Sequence, residues 1–575
     1  DNTPYATNWL TYQVDDASQP LFDSDGVFNT DGYSYCSNLD AAEGDCVQDG
    51  TLNFNTAKDS RTSMYQTGFR NRYGASVRGG TEQVRYFVSG QLEEEEGVIN
   101  TNKLDKANLR ANLDAALSDN VDLSVSFGYT DSDVRLNPND NNIFSPVLNM
   151  VLGEGYYIPP VAGVFPEGVA NDANYGFGFN LWEIQKNVVS DEVNRLNLSS
   201  NVSWRPFNWL NVTANGGIDL TDRFTFTTIQ PGDLPISESW ANGFRNSERE
   251  NGFLYSGVVS GVANFELTPD LYSTTTVGGQ YTKNLREATR CYGSSLVLGT
   301  ASCSTTSALF TVDEDYFEII TVGGYVQQEL AWRDKMFVAA GIRGDDNSAF
   351  GNDFGFVYYP SASLSWVVGE EAWFPELDFL SGLRLRTAFG TSGLRPGMRD
   401  AVTLYSPVTV ALPDGDAPGV ALNALGNPQL EPEKSTEIEL GFDVGLFQDK
   451  LGIDFTYFNK KSKDALISRR LPGSLGLTTT VFANLGEIQN TGTELAVNWS
   501  AIQNETIGLN LGMTNTTLNN EVLELGEGVD DITLNRGQQR HKEGYSAGAF
   551  FQRPISWNDA DGNGLLTEEE VTVAD

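Results

Sequence analysis

The chain has 575 residues, a formal net charge of −40 at pH 7 and a pI near 4.2. So acidic a composition argues against nucleic acid as a partner, because phosphate binding needs clustered Lys and Arg. A hydrophobic fraction of 40% with 11% aromatic residues excludes a disordered acidic chain. No run of about 18 apolar residues occurs, which excludes a helical membrane protein. The chain is therefore folded, in several domains or as one large β-barrel.

The first stretch, DNTPYATNWL, has neither an initiator Met nor a signal peptide, so we expect a fragment whose first part is missing. The four cysteines form two local pairs, Cys36 with Cys46 and Cys291 with Cys303. Each pair spans a polar or Gly/Ser-rich loop, which predicts two disulfides on the extracellular side, in an oxidising compartment. The alternative is four free thiols, and the spacings do not suit zinc.

Apolar and polar side chains alternate in several stretches, as expected for strands with one apolar and one polar face. In NVDLSVSFGYT the apolar face carries Val121, Leu123, Val125, Phe127 and Tyr129. The stretches RLNLSSNVSW and LGIDFTYF repeat the pattern with Leu196, Leu198, Val202, Trp204, Leu451, Ile453, Phe455 and Tyr457. The opposite face is polar in each stretch.

The connections alternate between tight and long from Gly79 onward. Tight connections are predicted at 79–82, 118–120, 205–208, 268–270, 332–335, 447–450 and 502–505. Long connections are predicted at 131–190, 222–250, 287–315, 392–433 and 462–489, and a longer link at 367–382 stands where a tight turn is due. About sixteen antiparallel strands with this asymmetry are typical of a transmembrane β-barrel. A soluble β-propeller or tandem sandwich would lack the asymmetry and would show a repeat.

Several strings in family order resemble SusC/RagA-like TonB-dependent outer-membrane transporters. They are RYFVSGQLEEEEGVINTNKLDKANLRANLDAALSDNVDLSVSFGYT, GIRGDDNSAFG, YPSASLSW, LRLRTAFGTSG, NPQLEPEKSTEIELGFDVGLFQDKLGIDFTYFNKKSKDALI and NLGEIQNTGTELAVNW. The resemblance implies an all-β, antiparallel transmembrane barrel of 22 strands, with short periplasmic turns and long extracellular loops, of which about 16 strands lie in this chain. It divides the chain into a plug-to-barrel connection with an extracellular-type loop (1–66), barrel strands and loops (67–545), and the start of the next strand with a further loop (546–575). The plug and the last strands are expected to lie outside this sequence.

The resemblance also implies a function in the outer-membrane lipid of a Gram-negative bacterium. That function is TonB-driven import of a bulky oligomeric nutrient, an oligosaccharide or a peptide, together with a SusD-like surface lipoprotein. The chain would then not be an enzyme. The alternative is a secreted or surface all-β, calcium-dependent adhesin or glycan-binding protein.

Aromatic residues in the loop 131–190 could stack on sugar rings, although packing within that loop is the plainer interpretation. They are Tyr156, Tyr157, Tyr175, Phe177 and Trp182. In LRLRTAFG, Arg384 and Arg386 alternate with Leu383, Leu385 and Phe389, so both arginines are predicted to face the lumen. Their expected partners are acidic groups of the plug.

Two further patterns have plain interpretations. GYSAG at 544–548 fits the G-x-S-x-G pattern of a nucleophile elbow, but the only histidine, His541, precedes Ser546, and EGYSAGAFFQRP is predicted to be a strand. Catalysis is therefore not expected. The acidic residues 93–96 are interpreted as a solvated hairpin tip, with cation binding as the alternative.

The stretch DADGNGLLTEEE at 559–570 fits the twelve-residue calcium loop of an EF-hand. Asp559, Asp561, Asn563, Leu565, Thr567 and Glu570 stand at loop positions 1, 3, 5, 7, 9 and 12. Gly564 stands at position 6, where the loop turns sharply. An acidic surface loop is the alternative, but the full match predicts one structural Ca²⁺ on the long-loop side.

Overall fold

The computed structural model describes residues 8–14, 33–35, 50–54, 64–138, 142, 144–152, 185–234, 238–350, 355–375, 377–413, 415–471, 474, 480–484, 486–526, 529–534, 538–560, 562, 566 and 568–574. Strands dominate these residues, in agreement with the alternating pattern of the sequence. None of the helices in this part of the chain is long and apolar enough to cross a membrane.

The strands follow one another with few helices between them. In chain order they are β1 (Asn8–Val14), β2 (Tyr33–Tyr35), β3 (Gly50–Phe54), β4 (Phe69–Gly80), β5 (Val84–Glu96), β6 (Lys103–Ser118), β7 (Val121–Leu136), β8 (Val189–Phe207), β9 (Leu210–Ile229), β10 (Phe244–Thr268), β11 (Leu271–Leu296), β12 (Thr306–Trp332), β13 (Met336–Asn347), β14 (Val357–Val367), β15 (Leu380–Leu394), β16 (Leu404–Leu412), β17 (Gly415–Ala424), β18 (Glu433–Leu446), β19 (Leu451–Lys463), β20 (Leu466–Arg470), β21 (Thr480–Asn484), β22 (Glu487–Gln503), β23 (Gly508–Glu524), β24 (Ile532–Leu534), β25 (Gln539–His541), β26 (Ala549–Phe550), β27 (Ile555–Trp557) and β28 (Val571–Val573). The helices are α1 (Pro146–Leu152) and α2 (Glu238–Ala241), with 3₁₀ turns at Cys303–Thr305, Val368–Glu370 and Glu568–Glu570.

One sheet of sixteen antiparallel strands contains β4 to β15, β18, β19, β22 and β23. Each strand pairs with the next one of the sheet along the chain, and β4 and β23 are the edge strands. The predicted number of strands and their hairpin order are thus confirmed. Because the number is even, the sheet begins and ends on the same side, so Met64 and Leu525 both lie at the long-connection end.

Tight turns join the strands at one end of the sheet, at 81–83, 119–120, 208–209, 269–270, 333–335, 447–450 and 504–507. Arg333 and Asp334 both have left-handed backbone, with φ of 53° and 55°, which matches the right-handed twist of a hairpin. The longer link predicted in place of a tight turn is present at 368–379, and it contains a 3₁₀ turn. The asymmetry between the two ends of the sheet is therefore real.

At the other end, two predicted loops are wrong in extent. Residues 222–250 and 287–315 are mostly strand, and only 230–243 and 297–305 connect. The strands β10, β11 and β12 consequently reach 25, 26 and 27 residues. A strand needs only about 9–11 residues to cross a bilayer, so these three project well beyond it. The projecting parts of these strands carry polar residues on both faces, so the alternation of apolar and polar residues did not identify them as strands.

Smaller elements lie at the long-connection end. The pairs β16–β17 and β20–β21 form hairpins within the connections after β15 and β19, and β24, β25 and β26 form a three-stranded sheet. The main sheet ends at Glu524, and the short strands β26, β27 and β28 of residues 546–575 pair outside it. Residues 543–548 are mostly turn, and His541 Nδ1 accepts a hydrogen bond of 3.1 Å from the Gly548 N–H.

A small apolar core lies beneath the long connections. Its buried members are Met64, Phe144, Ile229 and Leu234, and Ile99, Trp240 and Phe244 pack against it. The long connection after β7 is closed at its base, where Asn137 Nδ2 donates to the Asn187 carbonyl at 3.0 Å. This core and the Asn137–Asn187 hydrogen bond hold the connections together at one end of the sheet.

Candidate functional site

The main sheet has one polar and one apolar face. Residues paired directly across antiparallel strands lie on the same face, and the polar pairs include Ser89 with Arg110, Asn197 with Asp219, and Arg384 with Asp443. The other face exposes large apolar side chains along its length, including Leu198, Val277, Ile342, Phe389, Leu440, Tyr457 and Met513. So extensive an apolar surface suits lipid, and the polar face then lines the lumen. The three stretches in which we predicted alternation have this arrangement.

An open cavity of about 740 Å³ lies on the polar face of β5 to β10. Hydroxyl and amide groups make up much of its lining, including Ser89, Gln91, Asn108, Ser126, Thr130, Asn197, Ser199 and Ser256. Thr130 Oγ1 donates to Asn108 Oδ1 at 2.9 Å, and Arg195 Nε donates to Asp219 Oδ1 at 2.9 Å. Such a lining offers many neutral donors and acceptors and suits a ligand rich in hydroxyl or amide groups.

Ion pairs cross the projecting parts of β8 to β12 on the same face. Arg223 holds Asp191 through two bonds of 2.8 and 2.7 Å. Burial would raise the pKa of Asp191, but hydrogen bonds from Arg223 and Thr225 outweigh it, so this pKa is lowered. Arg290 contacts Glu248 at 3.0 Å and Asp313 at 3.4 Å. These pairs join successive strands where no lipid supports them.

Arg384 and Arg386 lie on the polar face, as predicted, while Leu383 and Leu385 lie on the other face. Their partners were predicted wrongly. Arg384 pairs with Asp443 on β18, and Arg386 contacts both Asp443 and Asp454, the latter on β19. The sheet itself therefore neutralises these arginines. An adjoining cavity of about 440 Å³ is also lined by Glu329, Ser363, Glu439 and Thr456.

The family described as "TonB dependent receptor-like, beta-barrel" matches residues 147–541 of the sequence. The match covers more than half of the chain and most of the sixteen-stranded sheet. The chain belongs to this TonB-dependent receptor family. It is accordingly an outer-membrane protein that is similar to SusC and to RagAB, and these relatives are receptors and transporters rather than enzymes.

Curated relatives of this TonB-dependent receptor come from two bacteria. TonB-dependent receptor P26 of Formosa agariphila is 22% identical over 75% of this chain and 43% of its own length. TonB-dependent receptor P3 of the same organism is 30% identical over 33% of this chain and 19% of its own length. TonB-dependent receptor SusC of Bacteroides thetaiotaomicron is 30% identical over 27% of this chain and 16% of its own length. The matches thus cover less than half of each relative.

Solved structures share the fold. The RagAB peptide transporter has a TM-score of 0.74 at 17% identity, over 92% of this chain and 59% of its own chain. The RagAB peptide importer in its open-open state has a TM-score of 0.74 at 16% identity, over 99% and 67% of the two chains. At these identities the likeness supports the architecture alone.

The predicted calcium loop is only partly described. The hairpin β27–β28 brings its two ends together, and Glu570 Oε1 accepts a bond of 2.7 Å from the Ala560 N–H. Asp559 Oδ1 accepts a bond of 2.8 Å from the Gly562 N–H. The other four predicted ligands, Asp561, Asn563, Leu565 and Thr567, lie outside the described residues.

Cys291 and Cys303 are joined by a disulfide with a Cα–Cα distance of 6.4 Å, at the long-connection end of β11. Cys36 and Cys46 lie outside the described residues, so their pairing stays a prediction. The same holds for the aromatic residues of the long connection after β7, which are Tyr156, Tyr157, Tyr175, Phe177 and Trp182.

The acidic residues 93–96 are not a hairpin tip, because they end the strand β5. Glu93 is only 4% exposed, and Arg70 and Arg72 of β4 both bond to its carboxylate. Sequence reasoning missed this cluster, the ion pairs of β8 to β12 and the polar cavity of β5 to β10. The Arg and Asp residues of the projecting strands were a visible signal, but pairing them requires the register between strands.

Proposed function

We propose that this chain forms most of the wall of a TonB-dependent importer for a bulky oligomeric nutrient, an oligosaccharide or a peptide. The observation that carries the proposal is the polar face of the sheet. It contains a cavity lined largely by hydroxyl and amide groups, and ion pairs on the projecting strands under the long connections. A barrel that only anchored an adhesin would not need such a lining. The proposed partners are a SusD-like surface lipoprotein and TonB.

The family supports this proposal over a secreted adhesin, because its members are outer-membrane receptors. The test uses the full-length protein in its own bacterium. Deletion of the gene should abolish growth on one class of oligomer, while growth on the corresponding monomer is unchanged. A TonB-deficient strain that carries the intact gene should have the same defect.

The result also separates the two nutrient classes. Loss of growth on oligosaccharides with normal growth on peptides would assign a glycan, and the reverse would assign a peptide. Neighbouring genes for glycoside hydrolases or for peptidases should agree with the assignment. Unchanged growth and uptake of every oligomer tested would contradict an importer.

We also propose that residues 559–570 bind one Ca²⁺ that stiffens an external loop. In support, both neighbours of Asp559 bond to Glu570, so loop positions 1 and 12 come close together: the Asn558 N–H donates to the Glu570 carbonyl at 3.0 Å and the Ala560 N–H to its carboxylate at 2.7 Å. Calorimetry on the intact protein should detect one site that Asp559→Ala and Glu570→Gln both remove. Asp530→Asn, at an exposed acidic residue outside the loop, is the control and should keep the site. No calcium uptake by the wild type would refute the proposal.

A further inference from the structure

The strand β12 is much longer than its neighbour β13. Their pairing ends at Thr321 and Asn347, whereas β12 begins at Thr306. Over residues 306–320, β12 pairs with β11 on one side. On its other side no strand of the described chain is paired with it. This part of β12 is therefore an open edge within the sheet.

The open edge stands clear of the membrane. Val312 lies about twenty residues from Trp332, which ends β12 beside the tight turn. At about 3.3 Å per residue this is roughly 65 Å along the strand, whereas a membrane crossing takes about 9–11 residues. The edge is thus reached from the external water, at the end of the sheet where the long connections lie.

The backbone of the upper edge is available for pairing. The N–H and the carbonyl of Ile320 both bond to Ser348, which fixes the direction of the even-numbered residues toward the open side. The Tyr316 carbonyl, four residues along, accepts a bond of 3.2 Å from Arg399. By the same alternation, Phe310, Val312 and Glu314 present N–H and carbonyl groups to that side. In the described chain nothing bonds to these groups there.

Exposed side chains accompany these backbone groups. Phe310 and Val312 are 57% and 52% exposed on the outward face of the sheet, and Glu314 lies exposed beside them. Val312 pairs directly with Cys291, whose disulfide to Cys303 holds the end of the hairpin. An edge that is already rigid loses little conformational entropy when a partner strand binds.

Charge and direction narrow the choice of occupant. Asp313 pairs with Arg290 and Asp315 pairs with Arg399, so Glu314 is the carboxylate of this run that no described cation neutralises. A second copy of this edge contains no Lys or Arg that could neutralise Glu314, so it is a poor occupant. A nutrient on its way through the lumen would not be held on the outward face. A partner that stays bound at the outward face and carries basic residues fits both the location of the edge and the charge of Glu314.

We propose that residues 310–314, here called the β12 edge, receive an extended segment of the surface lipoprotein as an added strand. Apolar residues of that segment cover Phe310 and Val312, and a Lys or Arg faces Glu314. Backbone hydrogen bonds supply affinity and the side chains supply selectivity, as in other cases of strand addition. The inference rests on the proposed function, because it assumes that a surface lipoprotein is the partner.

The first test is photo-crosslinking in intact cells that express the full-length protein. A photoreactive residue at Phe310 should give one adduct, whose partner mass spectrometry identifies as a lipidated surface protein. The same residue at Tyr281, on the outward face of β11 at membrane depth, is the control and should give no such adduct. An adduct with a second copy of this chain or with a peptide would overturn the proposal.

The second test compares copurification of the lipoprotein with charge variants. Glu314→Lys should weaken the complex about tenfold or more, because like charges then meet at the edge. Glu287→Lys changes the same charge on the same face but on β11, away from the edge, and should leave the complex nearly unchanged. Heat-modifiable migration and formation of the Cys291–Cys303 disulfide would verify that each variant folds.

The outcomes separate this inference from the proposed function. If the wild type copurifies with a lipoprotein and Glu314→Lys does so equally well, the β12 edge is not the docking site, but the importer remains supported. If the wild type has no lipoprotein partner, the strand-addition proposal and the proposed partner both fail, whereas the growth tests still decide whether the protein is an importer. If Glu287→Lys weakens the complex as much as Glu314→Lys, the effect is general electrostatics and the strand-addition proposal is wrong.

Discussion

The assignment of the apolar face to lipid can be tested at Leu385, which lies between the lumen-facing Arg384 and Arg386. Leu385 is 43% exposed and pairs with Trp366 and Phe442 on the apolar face. It lies about five residues from the tight-turn end of β15. At about 3.3 Å per residue and a tilt near 45°, this is about 12 Å into an apolar band about 25 Å tall.

Leu385→Arg should therefore place a charge near the middle of the bilayer and lower the free energy of unfolding by about 2–4 kcal/mol. Ser363→Arg is the control, because Ser363 lies exposed on the polar face, beside a cavity lined by Glu329 and Glu439. Arg384 and Arg386 also line this cavity, but Asp443 and Asp454 already pair with them. The effect of Ser363→Arg should stay below about 1 kcal/mol, since an exposed charge beside opposite charges costs little.

The assay is urea-dependent unfolding of the full-length protein from lipid vesicles, followed by tryptophan fluorescence and by heat-modifiable migration. Equal destabilisation by both variants would mean that the two faces do not differ in environment. A larger effect of Ser363→Arg than of Leu385→Arg would reverse the orientation of the sheet and refute the lumen described above.

Three further outcomes are expected. Since the folded pKa of Asp191 is lowered, its pairing with Arg223 stabilises the projecting strands fully above about pH 4, and this stabilisation is lost as the pH falls below that value. Pepsin cleavage of β8 and β9 should therefore rise only below about pH 4. Equal cleavage of Asp191→Asn at pH 2 and pH 4 would support the Asp191–Arg223 pair as the cause. Gln448 has left-handed backbone, with φ of 61°, so Gln448→Gly should raise the free energy of unfolding in urea by about 0.5–1 kcal/mol, and a loss would contradict this conformation. Reduction of the Cys291–Cys303 disulfide, which closes a loop of about a dozen residues, should remove up to about 3 kcal/mol of local stability and speed hydrogen exchange in β11 and β12, whereas unchanged exchange would refute its role.

Alternation predicted the strands that cross the membrane because the bilayer imposes different solvents on their two faces. Val121 to Tyr129 and Leu451 to Tyr457 obey that rule, and both stretches lie in the main sheet as predicted. Residues 287–296 and 306–315 are strands in water on both sides, so their sequence carries no period of two. We therefore predicted a loop where the sheet continues.

The sequence predicted the face of the sheet on which the site residues lie, but not the residues that they contact. Alternation alone placed Arg386 in the lumen. Its contacts with Asp443 and Asp454 depend on which residues of β15, β18 and β19 stand opposite one another, and that register is set by pairings across more than fifty residues of chain. Nothing local to Arg386 encodes them.

The neighbour-to-neighbour order of the sixteen strands has a kinetic consequence. Each strand can zip onto the one before it, so assembly proceeds as a series of hairpin closures without crossing connections. The pairing of β7 with β8 is the slowest of these closures, because the connection between them, 137–188, is the longest. Relative to the six-residue connection at 97–102, its length adds only about 2 kcal/mol of closure entropy. Large external loops can therefore be lengthened or exchanged between relatives while the order of assembly of the wall stays the same.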